Sequence, residues 1–347
     1  MDDMNINKPI QQRIVLFGPT QSGKDWLVRG FAKEVEQINL NSSLSFHYRL
    51  EEIISPDGKE RRPAEVFPPE NIPGTQQAVD FPYALSRKPK NDKDKRFQAT
   101  HNILVHNDRG DNFINALLYP ETDEYKQLVS LIDTTRNFIV VVGPPETEPL
   151  NYRSQHLEVP EDDLPRNPFA QPQEQERNMF DASPKYDVSR FTVSKYERFI
   201  RELLSRLRNK GPKRNVAICM TKADLDGLML RDPEEYFFST FSNLKGDIAS
   251  FIHDGHKLKI FRSSAAGMLE NIDLQGRRIE EPNIEGGRLK DSNNWKPQGN
   301  ARPFFWICQT IEKEAIQKKP EGIKGLFNCL LKDKVIYPPY PGLCQED

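Results

Sequence analysis

The stretch GPTQSGKD, from Gly18 to Asp25, constrains this chain more than any other. It follows a short apolar run, RIVLF at residues 13–17, which predicts a buried strand. It precedes a segment in which apolar side chains recur at helical spacing, namely Leu27, Phe31, Val35 and Ile38. A strand, a glycine-rich loop and a helix in this order form an anion cradle, because backbone N–H groups and the helix N-terminus converge on one position. The stretch is therefore predicted to bind phosphate.

The pattern of this loop is G-x-x-x-x-G-K, and its candidate phosphate-binding residues are Gly18, Ser22, Gly23, Lys24 and Asp25. Lys24 is predicted to reach the β- and γ-phosphates of a nucleotide. The pattern normally ends in Ser or Thr, whose hydroxyl meets Mg²⁺, but this chain carries Asp25 there. Three interpretations stay open: an inactive nucleotide site, a chance match, or a working site that is rearranged.

The composition restricts the classes of partner. A net charge of -2 gives no electrostatic reason to expect nucleic acid or an anionic membrane. The N-terminus is polar, and no apolar run approaches the length of a membrane span. The cysteines lack C-x-x-C spacing, which is typical of ordinary thiols in a reducing cytosol. They are Cys219, Cys308, Cys329 and Cys344. The chain is predicted to be cytoplasmic, without a membrane span.

The order of apolar runs and helical patterns is β-α-β-β-α-β-α-β-α-β-α. It predicts an α/β fold with a mostly parallel sheet, one antiparallel strand and helices on both faces. With the glycine loop after its first strand, this fold resembles the P-loop NTPase type. The runs AVDFPYAL and RFQATHNILVH predict a hairpin whose charged connection, SRKPKNDKDK, is a loop tip rather than a binding patch. PEEYFFSTFSNLKGDIASFIHDG is predicted to be one helix, and LSFHYRL is a candidate strand.

One domain is predicted at residues 12–317. Proline-rich polar segments suggest loop insertions at 41–95 and 143–188. Residues 318–347 are predicted to be a C-terminal tail, in which a disordered end is favoured over a docking segment.

TKAD, from Thr221 to Asp224, directly follows the apolar run RNVAICM. With the glycine loop upstream, this sequence resembles the Ras-like, translation-factor-related class of P-loop GTPases, whose base motif is [NT]-K-x-D. The resemblance implies that the Asp224 carboxylate accepts from guanine N1–H and the 2-amino group, and that the Lys222 stem lies along the base. Adenine lacks that pair of donors, so Asp224 would select guanine.

SSAAG at residues 263–267 resembles the S-A-[KL] element of the same class. The resemblance implies that a backbone N–H of Ser264 or Ala265 meets guanine O6. Thr75, in NIPGT, lies where the class has a lone threonine that coordinates Mg²⁺ and senses the γ-phosphate.

VHNDRGD at residues 105–111 lies where the class has D-x-x-G. The resemblance implies that the Gly110 N–H meets the γ-phosphate and that Asp111 stands where several relatives place the glutamine that orients the attacking water. The aligned acid is Asn107, and Asp108 comes one residue later. The candidate catalytic residues are thus Asp111 and Thr75, and the candidate metal residues are Asp25, Thr75 and Asn107.

The resemblance spans residues 12–317, and a bacterial double-GTPase-like group shares the long proline-containing segment, NFIVVVGPP and PFFWIC. It implies a GTP/GDP- and Mg²⁺-binding switch with slow or partner-stimulated hydrolysis. Changes in residues 60–80 and 107–118 would signal to an unidentified protein partner. Asp25 and Asn107 leave hydrolysis open. The alternatives are a pseudo-GTPase scaffold and an ATP-using P-loop kinase or ATPase, and TKAD argues against the latter.

Overall fold

A computed structural model of the chain describes residues 9–19, 22–40, 44–52, 78–91, 98–145, 191–209, 211–224, 231–272, 275, 278–285, 288–317 and 340. Strands and helices alternate along most of this length. The strands are β1 (Ile10–Phe17), β2 (Phe46–Glu52), β3 (Val79–Pro89), β4 (Ala99–Asn107), β5 (Asn137–Val142), β6 (Asn215–Met220), β7 (Lys257–Arg262), β8 (Met268–Ile272), β9 (Arg278–Pro282), β10 (Ile284–Glu285) and β11 (Arg288–Leu289). The helices are α1 (Lys24–Asn39), α2 (Gly110–Leu118), α3 (Lys126–Thr134), α4 (Val193–Asn209), α5 (Pro233–Thr240), α6 (Lys245–His253) and α7 (Arg302–Gln317).

The main sheet has seven strands in the order β2-β3-β4-β1-β5-β6-β7. β4, β1, β5, β6 and β7 pair in parallel, whereas β3 is antiparallel to both of its neighbours. The prediction of a mostly parallel sheet with one antiparallel strand is therefore confirmed, as is the β3–β4 hairpin. The candidate strand LSFHYRL is also confirmed, since β2 forms one edge of this sheet.

Helices cover both faces of the sheet. Along β1, Val15 and Phe17 enter the core beneath α2 to α6, while Ile14 and Leu16 enter the core beneath α1 and α7. Successive side chains of a strand point to opposite faces, so a strand buried on both faces is a continuous apolar run. β5 and β6 are buried along their whole length and are apolar after their first residue, an asparagine in each strand. The predicted P-loop type of α/β fold is confirmed at this level.

The segment predicted as one long helix after Pro233 is instead two helices, α5 and α6, separated by a short 3₁₀ turn at Ser242–Leu244. Phe241 leaves the helical region, with φ -116 and ψ 55, and its N–H bonds to the carbonyl of Phe237. Phe237, Phe241 and Leu244 are all buried in the same core. The break occurs because the turn brings all three apolar side chains onto the sheet.

The polar stretch after β7, for which the sequence predicts no strands, contains the small hairpins β8–β9 and β10–β11. Polar contacts hold the described part of this stretch. The buried Asn283 side chain bonds to the backbone N–H and C=O of Asp291, at 2.8 Å and 2.9 Å. Gly267 has φ +78, and a Cβ there would lie 2.1 Å from the Lys296 carbonyl oxygen, so only glycine fits.

The predicted loop tip SRKPKNDKDK is partly wrong, because β3 continues through Pro89. Arg87 lies inside this strand and is buried with Glu312 of α7, their charged atoms 2.9 Å apart. Glu312 also accepts from Tyr340 at 2.7 Å, and its oxygen lies 2.6 Å from His101. Of the predicted tail the structure describes Tyr340, which is buried. None of the helices described here has the length and apolar composition needed to cross a membrane.

Candidate functional site

The glycine loop between β1 and α1 requires glycine at two positions. A Cβ at Gly18 would lie 2.4 Å from the carbonyl oxygen of Val141 on β5. Gly23 has φ +95 at the start of α1, and a Cβ there would lie 3.2 Å from the Thr221 hydroxyl oxygen. A larger residue would strain the first position by contact and the second by backbone conformation as well. The loop is therefore packed tightly against the carboxyl ends of β5 and β6.

Lys24 folds back across this loop. Its ammonium donates to the carbonyl oxygens of Gly18 at 2.9 Å and Pro19 at 3.0 Å, and the residue is 6% exposed. Ser22 is 2% exposed, and its hydroxyl oxygen has no hydrogen-bond partner among the described residues. A buried polar group without a partner costs free energy, which an incoming ligand would recover. An ammonium, a hydroxyl and a helix N-terminus together suit an anion.

Thr221 joins the TKAD motif to the glycine loop. Its backbone N–H donates to the carbonyl oxygen of Val142 at 2.9 Å, where β5 ends. Its hydroxyl donates to the carbonyl oxygen of Ser22 inside the loop. β5 and β6 run in parallel, so their carboxyl ends meet at the same edge of the sheet. The two motifs predicted from the sequence are therefore in direct contact.

The next residues of TKAD point in different directions. Lys222 has φ 56, in the left-handed region, and its side chain is exposed. Asp224 is buried, with 7% exposure. The backbone N–H of Ala223 donates to the carbonyl oxygen of Ser263 at 3.1 Å, which ties the motif to the end of β7. The carboxylate predicted to read a base thus lies inward and the lysine lies at the surface.

SSAAG packs beside TKAD, but the two residues predicted to meet a base differ in their contacts. The Ser264 backbone N–H donates to the carbonyl oxygen of Gln298 at 2.8 Å, and its hydroxyl accepts from the Gly267 N–H at 2.8 Å. The carbonyl of Ala265 accepts from the indole N–H of Trp295 at 2.6 Å. Because the Ser264 amide is already engaged, the Ala265 amide is the better candidate donor to a base oxygen.

Asp25 and Asn107, the two residues that depart from the expected pattern, contact each other. The Asn107 amide donates to a carboxylate oxygen of Asp25 at 2.5 Å. Asn107 ends β4, where it pairs with Leu16 of β1, and it is fully buried. Asp25 lies in the first turn of α1, where the helix dipole favours a negative charge. Burial lowers the pKa of Arg29, one turn further on, and Asp25 opposes that effect.

Asp25 and Asn107 could hold a hard cation such as Mg²⁺ only together with oxygen atoms of a bound ligand. Carboxylate and amide oxygens are ligands that Mg²⁺ prefers, and Mg²⁺ is usually held by one or two carboxylates together with phosphate oxygens. Within the described ranges, no group of three His, Cys, Asp or Glu side chains could hold a metal ion by itself. Thr75, the third predicted metal residue, lies outside the described residues.

The residues after Asn107 form the start of α2. A carboxylate oxygen of Asp108 accepts from the Arg109 N–H at 2.6 Å and from the Asn112 amide at 3.1 Å. Asp108 therefore holds the first turn of α2. Gly110 is the first residue of this helix and Asp111 the second. The side chain of Asp111 lies outside the described part of the structure.

Sequence reasoning missed a polar cavity of about 470 Å³ on the other side of β4. His106 and Asp80 meet there, with 2.7 Å between Nδ1 and Oδ1. Alternation along the strand directs Asn107 towards α1 and its neighbour His106 towards α3. Of the residues singled out from the sequence, the lining includes Asp108 but no residue of the glycine loop. The cavity is thus separate from the candidate phosphate site.

The seven-stranded sheet, with a glycine loop between its central strand and α1, defines the P-loop class of α/β proteins. No protein-family model and no curated protein matches the chain. Among solved structures it is similar to the Arl6 (BBS3) small GTPase from Trypanosoma brucei with bound GppNp, at 12% identity and TM-score 0.37, covering 87% of this chain and 98% of that one.

Two further structures show the same level of similarity. Roco2 RocCORdC from Methanosarcina barkeri bound to GDP has 11% identity and TM-score 0.29, covering 74% of this chain and 45% of that one. The Ski7 GTPase-like domain of S. cerevisiae bound to GTP has 12% identity and TM-score 0.31, covering 90% and 51%. The chain thus spans about half the length of these two. The class rests on the sheet order and the loop, not on these similarities.

Proposed function

We propose that this chain is a guanine-nucleotide-binding switch protein with slow or partner-stimulated GTP hydrolysis. The observation that carries the proposal is the hydrogen bond from the Thr221 hydroxyl to the Ser22 carbonyl. It joins a phosphate-type loop to a base-reading motif at the carboxyl edge of a parallel sheet, where ligands of such sheets bind. One nucleotide can therefore span both elements.

The phosphate end of GTP or GDP would occupy the loop from Gly18 to Lys24. The Lys24 ammonium, now bonded to two loop carbonyls, would turn to the β- and γ-phosphates. The buried Ser22 hydroxyl would gain a partner. Backbone N–H groups at the start of α1 would complete the cradle without any further side chain.

The base end would lie against the loops after β6 and β7. Asp224 would accept from guanine N1–H and the 2-amino group, the Lys222 stem would lie along the ring, and the Ala265 N–H would meet O6. Burial of Asp224 supports this role, because hydrogen bonds to a charged acceptor are stronger away from water.

Mg²⁺ would be held at the phosphate end by Asp25, with the amide of Asn107 fixing the carboxylate. When bound, the ion neutralises charge on the β- and γ-phosphates. The contact between Asp25 and Asn107 supports this assignment, since the carboxylate and its positioning group are already together. Thr75 remains a proposed further ligand.

Signalling would depend on residues 60–80 and 107–118. Asn107, Gly110 and the start of α2 lie in the second of these, so a γ-phosphate held by the Gly110 N–H would fix the start of α2. Asp111 would orient the attacking water. An unidentified protein partner would read the change, in the cytoplasm. A relationship to bacterial double-GTPase-like proteins stays a hypothesis supported by the long proline-containing segment and by the NFIVVVGPP and PFFWIC stretches.

A pseudo-GTPase scaffold is the second candidate function. It is favoured by the same Asp25 carboxylate, which without metal would lie beside the β-phosphate and oppose binding. An ATP-using kinase or ATPase is less well supported, because adenine lacks the pair of donors from which the buried Asp224 would accept hydrogen bonds.

The test is nucleotide selectivity of the purified protein. GTP and GDP should bind ahead of ATP, and Asp224→Ala should weaken GTP binding by about 100-fold through loss of two hydrogen bonds to a charged acceptor. Asp123→Ala, at an exposed acid with 89% side-chain exposure, is the matched control. The nucleotide that co-purifies, identified by denaturation and chromatography, should be GDP or GTP. Equal affinity for ATP and GTP in the unaltered protein would contradict guanine reading.

A further inference from the structure

One side of α1 packs against residues 295–301, the segment that leads into α7. A Cβ at Gly30 would lie 2.6 Å from the Asn300 side chain. The Glu34 carboxylate accepts from the backbone N–H groups of Gly299 at 3.0 Å and Ala301 at 2.9 Å. These contacts fix the segment on the side of α1 that faces the SSAAG loop.

Trp26 and Trp295 extend this contact to the nucleotide end of α1. Trp26 directly follows Asp25 in the first turn, and its ring centroid lies 6.3 Å from that of Trp295, edge to face at 88°. Trp295 is 9% exposed, and its indole N–H donates to the Ala265 carbonyl at 2.6 Å. Its own carbonyl accepts from the Gln37 side chain at 2.8 Å. Trp26 is partly exposed.

The pair therefore joins the two ends of the proposed site. Trp26 adjoins the carboxylate at the phosphate end, and Trp295 is bonded to the residue whose amide is proposed to meet the base. We infer that Trp26, backed by Trp295, forms an aromatic wall of the base slot and contacts the ring or ribose of the bound nucleotide. This inference rests on the proposed function.

The wall would supply affinity without selectivity. An aromatic side chain can stack on any purine, because every purine has a π-face. Replacing such a side chain by alanine measurably lowers the binding affinity. The edge-to-face contact with Trp295 restricts the Trp26 ring, so less rotamer freedom would be lost on binding than for an isolated side chain. Asp224 would then choose guanine, while Trp26 would strengthen the binding of any purine nucleotide.

Binding measurements can separate the wall from the phosphate cradle. Trp26→Ala should weaken GDP binding by about tenfold and leave the affinity for inorganic triphosphate unchanged. Trp295→Phe keeps an aromatic ring behind Trp26 but removes the indole N–H and one of the two fused rings, so it should weaken GDP binding less than Trp26→Ala does. Trp306→Phe is the matched control, because Trp306 is buried in the core on α7 and lies outside the site.

Intrinsic fluorescence gives a second readout, since the chain has only 3 tryptophans. GDP should change the emission of the unaltered protein and of Trp306→Phe, and the change should be largely lost in Trp26→Phe. The wall is overturned if the unaltered protein binds GDP and Trp26→Ala binds it within twofold. If the unaltered protein binds neither GDP nor triphosphate, the proposed function fails and the wall fails with it.

Discussion

The side-chain amide of Asn107 donates to a carboxylate oxygen of Asp25 at 2.5 Å, joining the end of β4 to the first turn of α1. P-loop GTPases are expected to have a hydroxyl at the first of these positions and a carboxylate at the second. In this chain the carboxylate stands on the helix and the neutral group on the strand. The number of carboxylates near the proposed metal is unchanged, and the one present stands in the first turn of α1, directly after the glycine loop.

The first prediction concerns GTP affinity, which Asp25→Thr should change in opposite directions under the two roles possible for Asp25. If Asp25 binds Mg²⁺, Asp25→Thr should weaken GTP binding at saturating Mg²⁺ by about tenfold, and adding Asn107→Asp should restore it. If Asp25 only repels phosphate, Asp25→Thr should tighten binding with or without metal. Titration of GTP with and without Mg²⁺ against the single and double variants distinguishes the two. Tighter binding by the single variant at saturating Mg²⁺ would support the scaffold.

A second prediction concerns the nucleotide-dependent switch. If Thr75 closes on the metal, hydrogen exchange in peptides from residues 60–80 should slow with a non-hydrolysable GTP analogue and not with GDP. Thr75→Ala should abolish the difference without changing GDP affinity. Peptides from the buried strand β6 serve as the internal control, since their exchange should be the same in both states. Identical exchange of residues 60–80 with both ligands would favour the scaffold.

The sequence predicted the centre of this fold because β1 ends in four consecutive buried apolar residues, and β5 and β6 are apolar after their first asparagine. Such runs identify buried strands without knowledge of their neighbours. The structure then shows that the loops after β1 and β6 meet, because the carboxyl ends of parallel strands share an edge. The sequence could not place Trp295 beside Ala265, because the intervening hairpins are held by polar contacts such as those of Asn283. Periodicity does not detect such contacts.

The burial of charged side chains was not predicted either, because it depends on contacts between residues that are far apart in the sequence. Arg87 stands in a stretch of lysines and looks solvated in the sequence, yet its partner Glu312 comes 225 residues later. Tyr340 likewise lies in a proline-rich tail whose composition predicts disorder. Their burial depends on one another, and only the tertiary structure shows it.

Glu312 supports a third prediction. Arg87, His101 and Tyr340 all contact this carboxylate in a buried setting, and the Arg87 guanidinium also lies 4.6 Å from the Tyr340 ring centroid. Glu312→Gln should lower the free energy of unfolding by about 3–5 kcal/mol, because it leaves buried positive charge uncompensated. Glu36→Gln, at the exposed ion pair with Lys33, should change it by about 0.5 kcal/mol or less. Equal effects in denaturant titrations would contradict the prediction.

Tyr340 allows the anchoring of the tail to be tested separately. Tyr340→Phe removes only the hydroxyl that donates to Glu312, and it should cost about 1–2 kcal/mol of unfolding free energy. Tyr340→Ala also removes the ring packed against Phe305 and Arg87, and it should cost about 3–5 kcal/mol. The two variants are compared by urea unfolding. A tail that contributes nothing would leave both variants as stable as the unaltered protein.

The last prediction is the pH dependence of stability at His101. Burial alone would lower the pKa of His101, but contacts with Cys308 and Glu312 raise it from 6.5 to about 10. Arg87 and Tyr340 face the same carboxylate, and burial keeps the pKa of Tyr340 well above its ordinary value. A raised pKa means that the folded state holds the proton more tightly than the unfolded state. The stabilisation by His101 is therefore fully present below pH 6.5 and is lost as the pH rises through 10.

The unaltered protein should lose stability relative to His101→Gln across this window, measured by urea unfolding at fixed pH. His253→Gln, at a histidine with 91% side-chain exposure, should follow the unaltered profile. A constant difference between the unaltered protein and His101→Gln from pH 6.5 to 10 would show that His101 is neutral in the folded state.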